Sequence, residues 1–597
     1  MAMKIGGIDV LYKRALPLSD PAANFEGLKP SMQVLPKGFR KTPANREFSS
    51  PTIWERDVTV PMRDGIILRA DIFRPAGTIA KVPCILVWSP YGKSSQGRLS
   101  MAVVQGNAGI PESELSGFQS FEAPDPAEWV PHGYAIANLT WSGWHGVGEG
   151  QDGYDTIEFL GTREWCDGKV AMMGNSWLAT AQWFIAAERP PHLTCMLPLE
   201  GLSDVYRETL CRGGVPYKPF WGFLMTTFFK FQGDEEQEDV ISMIEKYPLM
   251  NEYWEDKRGK AHLIEVPTYV LANRLRLHGT QEWHDLYQKD SVEDFKRFLD
   301  FYMKCIQNGW ESTPKVRTRF LRYNQLTKKM PPVENLSFSE WPVPEAQYEK
   351  FFLSNDAKLA AKSPPSGATI SFLGDVPAIQ MGNDPEEVVF EYTFQRKTRL
   401  LGTSKAVLYM SCPGHDDFDV FVQLRKAGKD GNVLTHINIP MQDLGVTSEK
   451  EVGDINPLKF LGPGGVLRAS HRAIDPILSK PHRLHHDHTK EVNFLLGRFP
   501  PHCVMASSII MSLLYGKPAV FFCYPSALVD PSGWNRDRGL HKDNPAIGRG
   551  GKARTALEQR GRGKGTSPAA KEVMKKWASV FQDVRSRAVI KWRPTQV

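Results

Sequence analysis

The sequence predicts an α/β domain built on a mainly parallel sheet, followed by a β-sandwich. Three observations lead there. Short apolar runs alternate with helical patterns between residues 51 and 345, the signature of a parallel sheet covered on both faces. From Phe351 onward strand-like runs dominate, at Phe351–Leu353, Val388–Phe394, Ala406–Ser411, Phe418–Leu424 and Val466–His471, with turn clusters between them. Finally, 597 residues exceed what one hydrophobic core can serve, so two to four domains of roughly 150 residues are expected.

The elements follow in order after a polar, Pro-rich arm over residues 1–50. Asp57–Val60 and Ile66–Phe73 read as two strands joined at Arg63-Asp64-Gly65, which has hairpin chemistry. Pro83–Trp88, Tyr134–Leu139, Lys169–Met173, Leu193–Leu199 and Val266–Ala272 are short apolar runs that read as buried strands. Tyr154–Thr162 has helical spacing, and Trp177–Glu188 reads as a helix stopped by Arg189-Pro190-Pro191. Residues 205–265 break the alternation: aromatics crowd into Tyr217–Phe231 and acids follow to Glu245, which predicts a helical cap over one end of the sheet. The domain division is therefore 51–345 for the α/β unit, 346–530 for the sandwich and 531–597 for a tail.

Composition narrows the function classes. Charges or prolines break every apolar run well short of the roughly 18 residues a membrane span needs, and the first 28 residues lack the apolar core of a secretory signal. The 8 cysteines are far apart and form no CxxC pair, which fits reduced thiols in the cytoplasm rather than a zinc site or a disulfide framework. The net charge of +6 comes from the tail: residues 549–597 hold 13 Lys and Arg against 3 acids, which leaves the remaining chain near −4. The body therefore carries no signal for polyanions. The Arg-Gly-Lys stretches at 548–552 and 560–564 have phosphate-binding chemistry, but a solvated, disordered basic tail explains them more simply. His482, His485, His486 and His488 read as a polar loop rather than as metal ligands. No metal or organic cofactor is implied, and a homo-oligomer stays open.

The chemistry centres on Gly174-Asn175-Ser176-Trp177-Leu178-Ala179, which follows a predicted strand and opens a predicted helix. A serine on such a tight strand-to-helix turn is raised clear of the sheet, and the N–H of the next residue faces any oxyanion formed there. The usual pattern is G-x-S-x-G, and Ala179 is small enough to keep the close packing. A helix-capping serine is the plain alternative.

Asp152-Gly153-Tyr154-Asp155, Ile157-Glu158, Trp165, Gly168-Lys169-Val170 and the Ser176 segment together resemble the cocaine-esterase-like and X-Pro dipeptidyl-peptidase family of acyl hydrolases. The resemblance extends upstream through Arg63-Asp64-Gly65 and Ser89-Pro90-Tyr91-Gly92-Lys93. It continues downstream through Asp416–Val422 and Leu467–Arg472, covering roughly residues 50–490. It implies an α/β-hydrolase fold with a helical cap and a C-terminal jelly-roll-like domain. By matching position it implies Ser176 as nucleophile, with the Tyr91 hydroxyl and the Trp177 N–H as an oxyanion hole. It also implies a small-molecule ester or peptide substrate.

The rest of a triad fits less well. Family members carry an acid after the strand matching Val266–Ala272, and a histidine later. Here that strand runs straight into Asn273-Arg274-Leu275-Arg276-Leu277-His278, with no Asp at the expected place. His278 is the first candidate base and His284 the second. A base supplied from elsewhere, or a binding protein that has lost catalysis, are the alternatives. Glu200, Asp204 and Asp234–Glu236 are the acids that could hold the amino terminus of an X-Pro substrate.

Overall fold

The computed structural model describes residues 3–471 apart from 24, 94–100, 141–145, 228, 232–235, 272–280, 320–334, 342, 365–368, 373–387, 396–397, 404–405, 407, 412–417, 429–430 and 456. Beyond 471 it describes the strands Phe494–Leu495, Ser508–Leu513, Pro518–Ala527 and Ala588–Lys591.

The α/β domain is built on seven strands: β1 (Ser31–Leu35), β2 (Thr52–Pro61), β3 (Ile67–Pro75), β4 (Val82–Ser89), β5 (Ala135–Thr140), β6 (Cys166–Asn175) and β7 (Leu193–Leu199). Their order is β7-β6-β4-β5-β3-β2-β1. The four strands from β7 to β5 run parallel, and β3, β2 and β1 are added antiparallel. The polar arm thus supplies the edge strand β1. Residues of one strand alternate between two cores: Ile85 and Val87 of β4 pack on one face, Cys84, Leu86 and Trp88 on the other. Burial on both faces is why these strands read as unbroken apolar runs.

Helices α1 (Val147–Gly161) and α2 (Trp177–Ala187) cover the second face, with Ile157, Leu160, Ala181 and Ile185 against the sheet. The first face is closed by the cap and by Phe295, Phe298 and Leu299 of the helix Lys289–Lys304. Residues 268–271 run beside β7 through parallel bridges at Met196–Thr268 and Leu199–Leu271. The expected strand at Val266–Ala272 is therefore thin, because Pro267 and Pro198 each lack an N–H for the ladder.

The cap holds the hairpin Cys211–Pro216 and the helices Lys218–Thr227, Val240–Lys246 and Glu252–Asp256. It is not purely helical. Its strand Glu236–Glu238 pairs antiparallel with Tyr12–Arg14 of the arm, so arm and cap share a small sheet.

The C-terminal domain is β-rich, and its named strand pairs are antiparallel. One sheet orders Val388–Thr393, Pro518–Ala527, Phe418–Ala427 and Val433–Leu434, with Gly464–Arg468 also on Phe418–Ala427. A second sheet orders Thr369–Phe372, Ala588–Lys591, Tyr409–Ser411 and Phe494–Leu495. Ala588–Lys591 lies in the basic stretch expected to be disordered, and it pairs along both neighbours. Val589 and Ile590 of that segment are β-branched residues that a sheet can use.

Candidate active site

Ser176 sits where β6 hands over to α2, with φ +56° and ψ −114°. Such a conformation is rare for a residue with a Cβ and persists only when its surroundings enforce it. Here the Ser176 N–H donates to the Leu199 carbonyl at 3.0 Å, and the Ser176 carbonyl accepts the first helical bonds from Ala179 and Thr180. The turn is packed tightly on both sides. A Cβ on Gly174 would meet Leu178 at 2.6 Å, and one on Gly201 would meet Ala179 at 2.7 Å. Gly201 thus makes the room that lets alanine replace the last glycine of the motif.

Tyr91 follows β4 in a loop anchored from three directions. Its N–H donates to Ser89 Oγ at 3.1 Å, and Ser120 Oγ lies 2.8 Å from Ser89 Oγ and 2.7 Å from the Gly92 carbonyl. The Lys93 ammonium bridges the buried carboxylates of Asp57 and Asp71, 2.7 Å from the latter. The lysine of the Ser-Pro-Tyr-Gly-Lys segment therefore acts as an anchor for the loop. The Tyr91 ring packs edge-on against Phe121 at 5.4 Å.

The structure brings Tyr91 and Ser176 together and adds a third group, Glu122. The backbone of Glu122 is locked to the turn, since the Asn175 N–H donates to its carbonyl at 3.0 Å. Its φ is +66°, a second strained residue beside Ser176. Only 2 % of Glu122 is exposed. Its Oε1 accepts the Trp283 indole N–H at 2.8 Å, and its Oε2 is sealed from solvent without a well-formed hydrogen bond, with the Tyr91 and Ser176 hydroxyls close enough to act on the carboxyl.

Burial pushes the Glu122 carboxyl up to about 8, against the opposing pull of the Trp283, Tyr91 and Ser176 donors. The Tyr91 phenol is driven well above its ordinary 10 by burial and by the Glu122 charge, while the Ser176 hydroxyl works the other way. Glu122 was not legible in the sequence. It lies in Phe121-Glu122-Ala123-Pro124-Asp125-Pro126, which reads as a surface turn, and only the fold carries it to Ser176.

Trp177 opens α2 with its N–H at the first turn, and its ring packs on Phe229 of the cap at 4.6 Å. His278 lies outside the described residues. His284 is in the short helix Glu282–Leu286, 2 % exposed, with Nε2 3.1 Å from Asp443 of the β-domain and 3.2 Å from Gln288. Its neighbour Trp283 is the residue of that helix that reaches Glu122. The Asn175 amide donates to the Glu282 carbonyl at 3.0 Å, so this helix is docked on the turn that bears Ser176. Of the acids considered for an amino terminus, Asp204 is paired with Arg207 at 2.5 Å and Glu236 lies in the arm–cap sheet. Among the described residues no cluster of His, Cys, Asp and Glu is arranged to hold a metal ion, and no helix is long and apolar enough to cross a membrane.

The model for the X-Pro dipeptidyl-peptidase (S15 family) matches residues 64–241, and that for the X-Pro dipeptidyl-peptidase C-terminal non-catalytic domain matches residues 308–484. Cocaine esterase of a Rhodococcus species is 27% identical over 230 residues, which is 37% of this chain and 36% of that protein. The chain thus spans about a third of the length of that relative. A CocE/NonD family hydrolase from Staphylococcus aureus superposes with a TM-score of 0.67 at 23% identity, covering 95% of each chain. An aminopeptidase from a marine sediment Thaumarchaeota archaeon gives 0.55 at 15% identity, covering 90% of this chain and 94% of that one. At those identities the two structures speak for the fold, an α/β-hydrolase with a β-rich domain behind it. With both domains matched in sequence and the whole architecture matched in space, the chain belongs to the cocaine-esterase-like and X-Pro dipeptidyl-peptidase family.

Proposed function

We propose that the chain is a serine hydrolase that cleaves a small-molecule ester in preference to an amide, through an acyl-Ser176 intermediate. The observation that carries this reading is Ser176 itself, strained at φ +56° on its turn and interacting with the Tyr91 phenol. A base takes the Ser176 proton as Oγ attacks the substrate carbonyl carbon, and the oxygen of that carbonyl gains the negative charge. The Tyr91 hydroxyl and the Trp177 N–H hold it. The proton passes to the leaving alcohol or amine as its bond to carbon breaks, and water repeats the sequence to free the acid. The first candidate for that base is His278, the first histidine after the Val266–Ala272 segment.

Two observations favour an ester. The aromatic contact of Trp177 with Phe229 supports an apolar acyl or alcohol pocket. Asp204, already paired with Arg207, is poorly free to hold a peptide amino terminus. The test is labelling of the purified protein with a fluorophosphonate probe. Wild type is expected to label and Ser176→Ala to stay dark, while Tyr91→Phe should slow labelling on the order of a hundredfold. A folded wild-type protein that stays unlabelled would instead make the chain a binding protein on a hydrolase frame.

A further inference from the structure

Among the described residues, Glu122 is the buried titratable group at Ser176 that the mechanism above does not use. Every part of its setting is built. Its backbone is tied to Asn175, and the Tyr287 hydroxyl holds the next residue through the Ala123 carbonyl at 2.7 Å. One carboxyl oxygen is pinned by the Trp283 indole, and the other is buried without a well-formed hydrogen bond. Leaving a charged oxygen in that state is costly, whereas a protonated one needs only an acceptor. The hydroxyls acting on the carboxyl are those of Tyr91 and Ser176.

We propose that Glu122 is a positioning residue for the oxyanion hole: as a neutral carboxylic acid it donates its Oε2 hydrogen to the Tyr91 phenol oxygen, so that the phenol hydrogen is left for the substrate oxyanion. The relay has a direction. A neutral Glu122 pushes the Tyr91 hydrogen outward, and each bond in such a chain strengthens the next. An ionised Glu122 can only accept, so it draws the Tyr91 hydrogen to itself and sets a negative charge beside the site of the oxyanion. The hole then loses a donor and gains a repulsion. Glu122 keeps its proton through the cycle; the proton of Ser176 goes to the base and on to the leaving group, so no further acid is consumed.

With its carboxyl held at about 8, Glu122 makes the site lose activity as the solution turns alkaline. The groups that face Glu122 are Ser176, Tyr91 and Trp283, with Tyr287 and the buried Asp125 on the same side of the site. Asp125 caps a helical turn and accepts from the Ser116 and Ala127 N–H groups.

The inference rests on Ser176 being the nucleophile, and the experiment separates the two. The rate of fluorophosphonate labelling is followed from pH 5 to 10 for the wild type, Glu122→Gln and Tyr91→Phe. The wild type should fall about tenfold per pH unit above roughly pH 8. Glutamine places its amide oxygen on Trp283 and its permanent N–H donor toward Tyr91. Glu122→Gln is therefore expected to label about three- to tenfold more slowly at pH 7 and to lose the alkaline fall. Tyr91→Phe, slower throughout, should keep only a shallower fall, because the Glu122 charge then has no phenol to redirect and acts through repulsion alone; this variant keeps the test intact should Glu122→Gln fail to fold. An alkaline fall that survives in Glu122→Gln, or that stays as steep in Tyr91→Phe as in the wild type, assigns it to another group and overturns the proposal. So does Glu122→Gln that folds but is dead at every pH, which would mean the carboxylate itself is the base. A wild type unlabelled at every pH removes the nucleophile reading, and this one with it.

Discussion

At the scale of single residues, the site is a set of groups held where they would not choose to be. Ser176 and Glu122 both occupy positive φ, and Glu122 is a carboxyl without water. Its raised pKa has a price in stability with a definite sign. Between its ordinary 4.5 and about 8, the folded protein binds a proton that the unfolded chain releases. The stabilising contribution is therefore complete below about pH 4.5 and is lost as pH rises through 8. Urea melts at pH 5, 7 and 9 should show the wild type losing a few kcal/mol relative to Glu122→Gln across that window, at about 1.4 kcal/mol per pH unit within it. Parallel pH dependences for the two proteins would mean that Glu122 is charged in the fold.

At the scale of elements, the strands and the turn bearing Ser176 were legible because their signals are local. β4, β6 and β7 are apolar runs, and the Ser176 turn is a strand followed by small residues and a helix. Tyr91 was legible only through the family pattern around it. Glu122 and Trp283 were not, since each depends on contacts 54 and 161 residues away and neither has a local pattern that marks it. The cap hairpin is another element whose role appears only in the fold. The carbonyl of Gly213, at φ +56°, accepts from the Arg468 N–H at 2.8 Å, and a Cβ on Gly213 would lie 2.0 Å from the Val466 carbonyl oxygen. Gly214 sits against the His471 ring, whose pKa burial and the Arg468 charge pull down to about 4. Gly213→Ala is therefore expected to lift the hairpin off the β-domain and cost about 2–4 kcal/mol, read as a lower Tm and faster proteolysis of the cap. An unchanged Tm would show that the hairpin is not held there.

For the whole molecule, the two domains share a core rather than meeting at a seam. Val104, Ile110, Phe121 and Trp283 of the α/β unit pack in one cluster with Ile437, Ile439, Leu444 and Leu458 of the β-domain. Boundaries read from composition cannot show this, because a shared core looks in sequence like two ordinary ones. A fragment ending at residue 345 would expose that cluster to water. It should aggregate or melt without cooperativity and take no fluorophosphonate label; a soluble, cooperatively melting fragment labelled at Ser176 would contradict the shared core.

The helix Glu282–Leu286 has one further consequence. It is tied forward to the β-domain, where the Gln281 N–H donates to the Asn438 carbonyl at 2.9 Å, and back to the Ser176 turn through Asn175. On the ribosome Ser176 emerges long before residue 438. At about 5–20 residues per second, on the order of ten seconds or more must pass before the segment that seats Trp283 exists. A nascent chain therefore carries Ser176 out of the exit without the scaffold that seats Trp283, and that scaffold forms only once residue 438 has emerged.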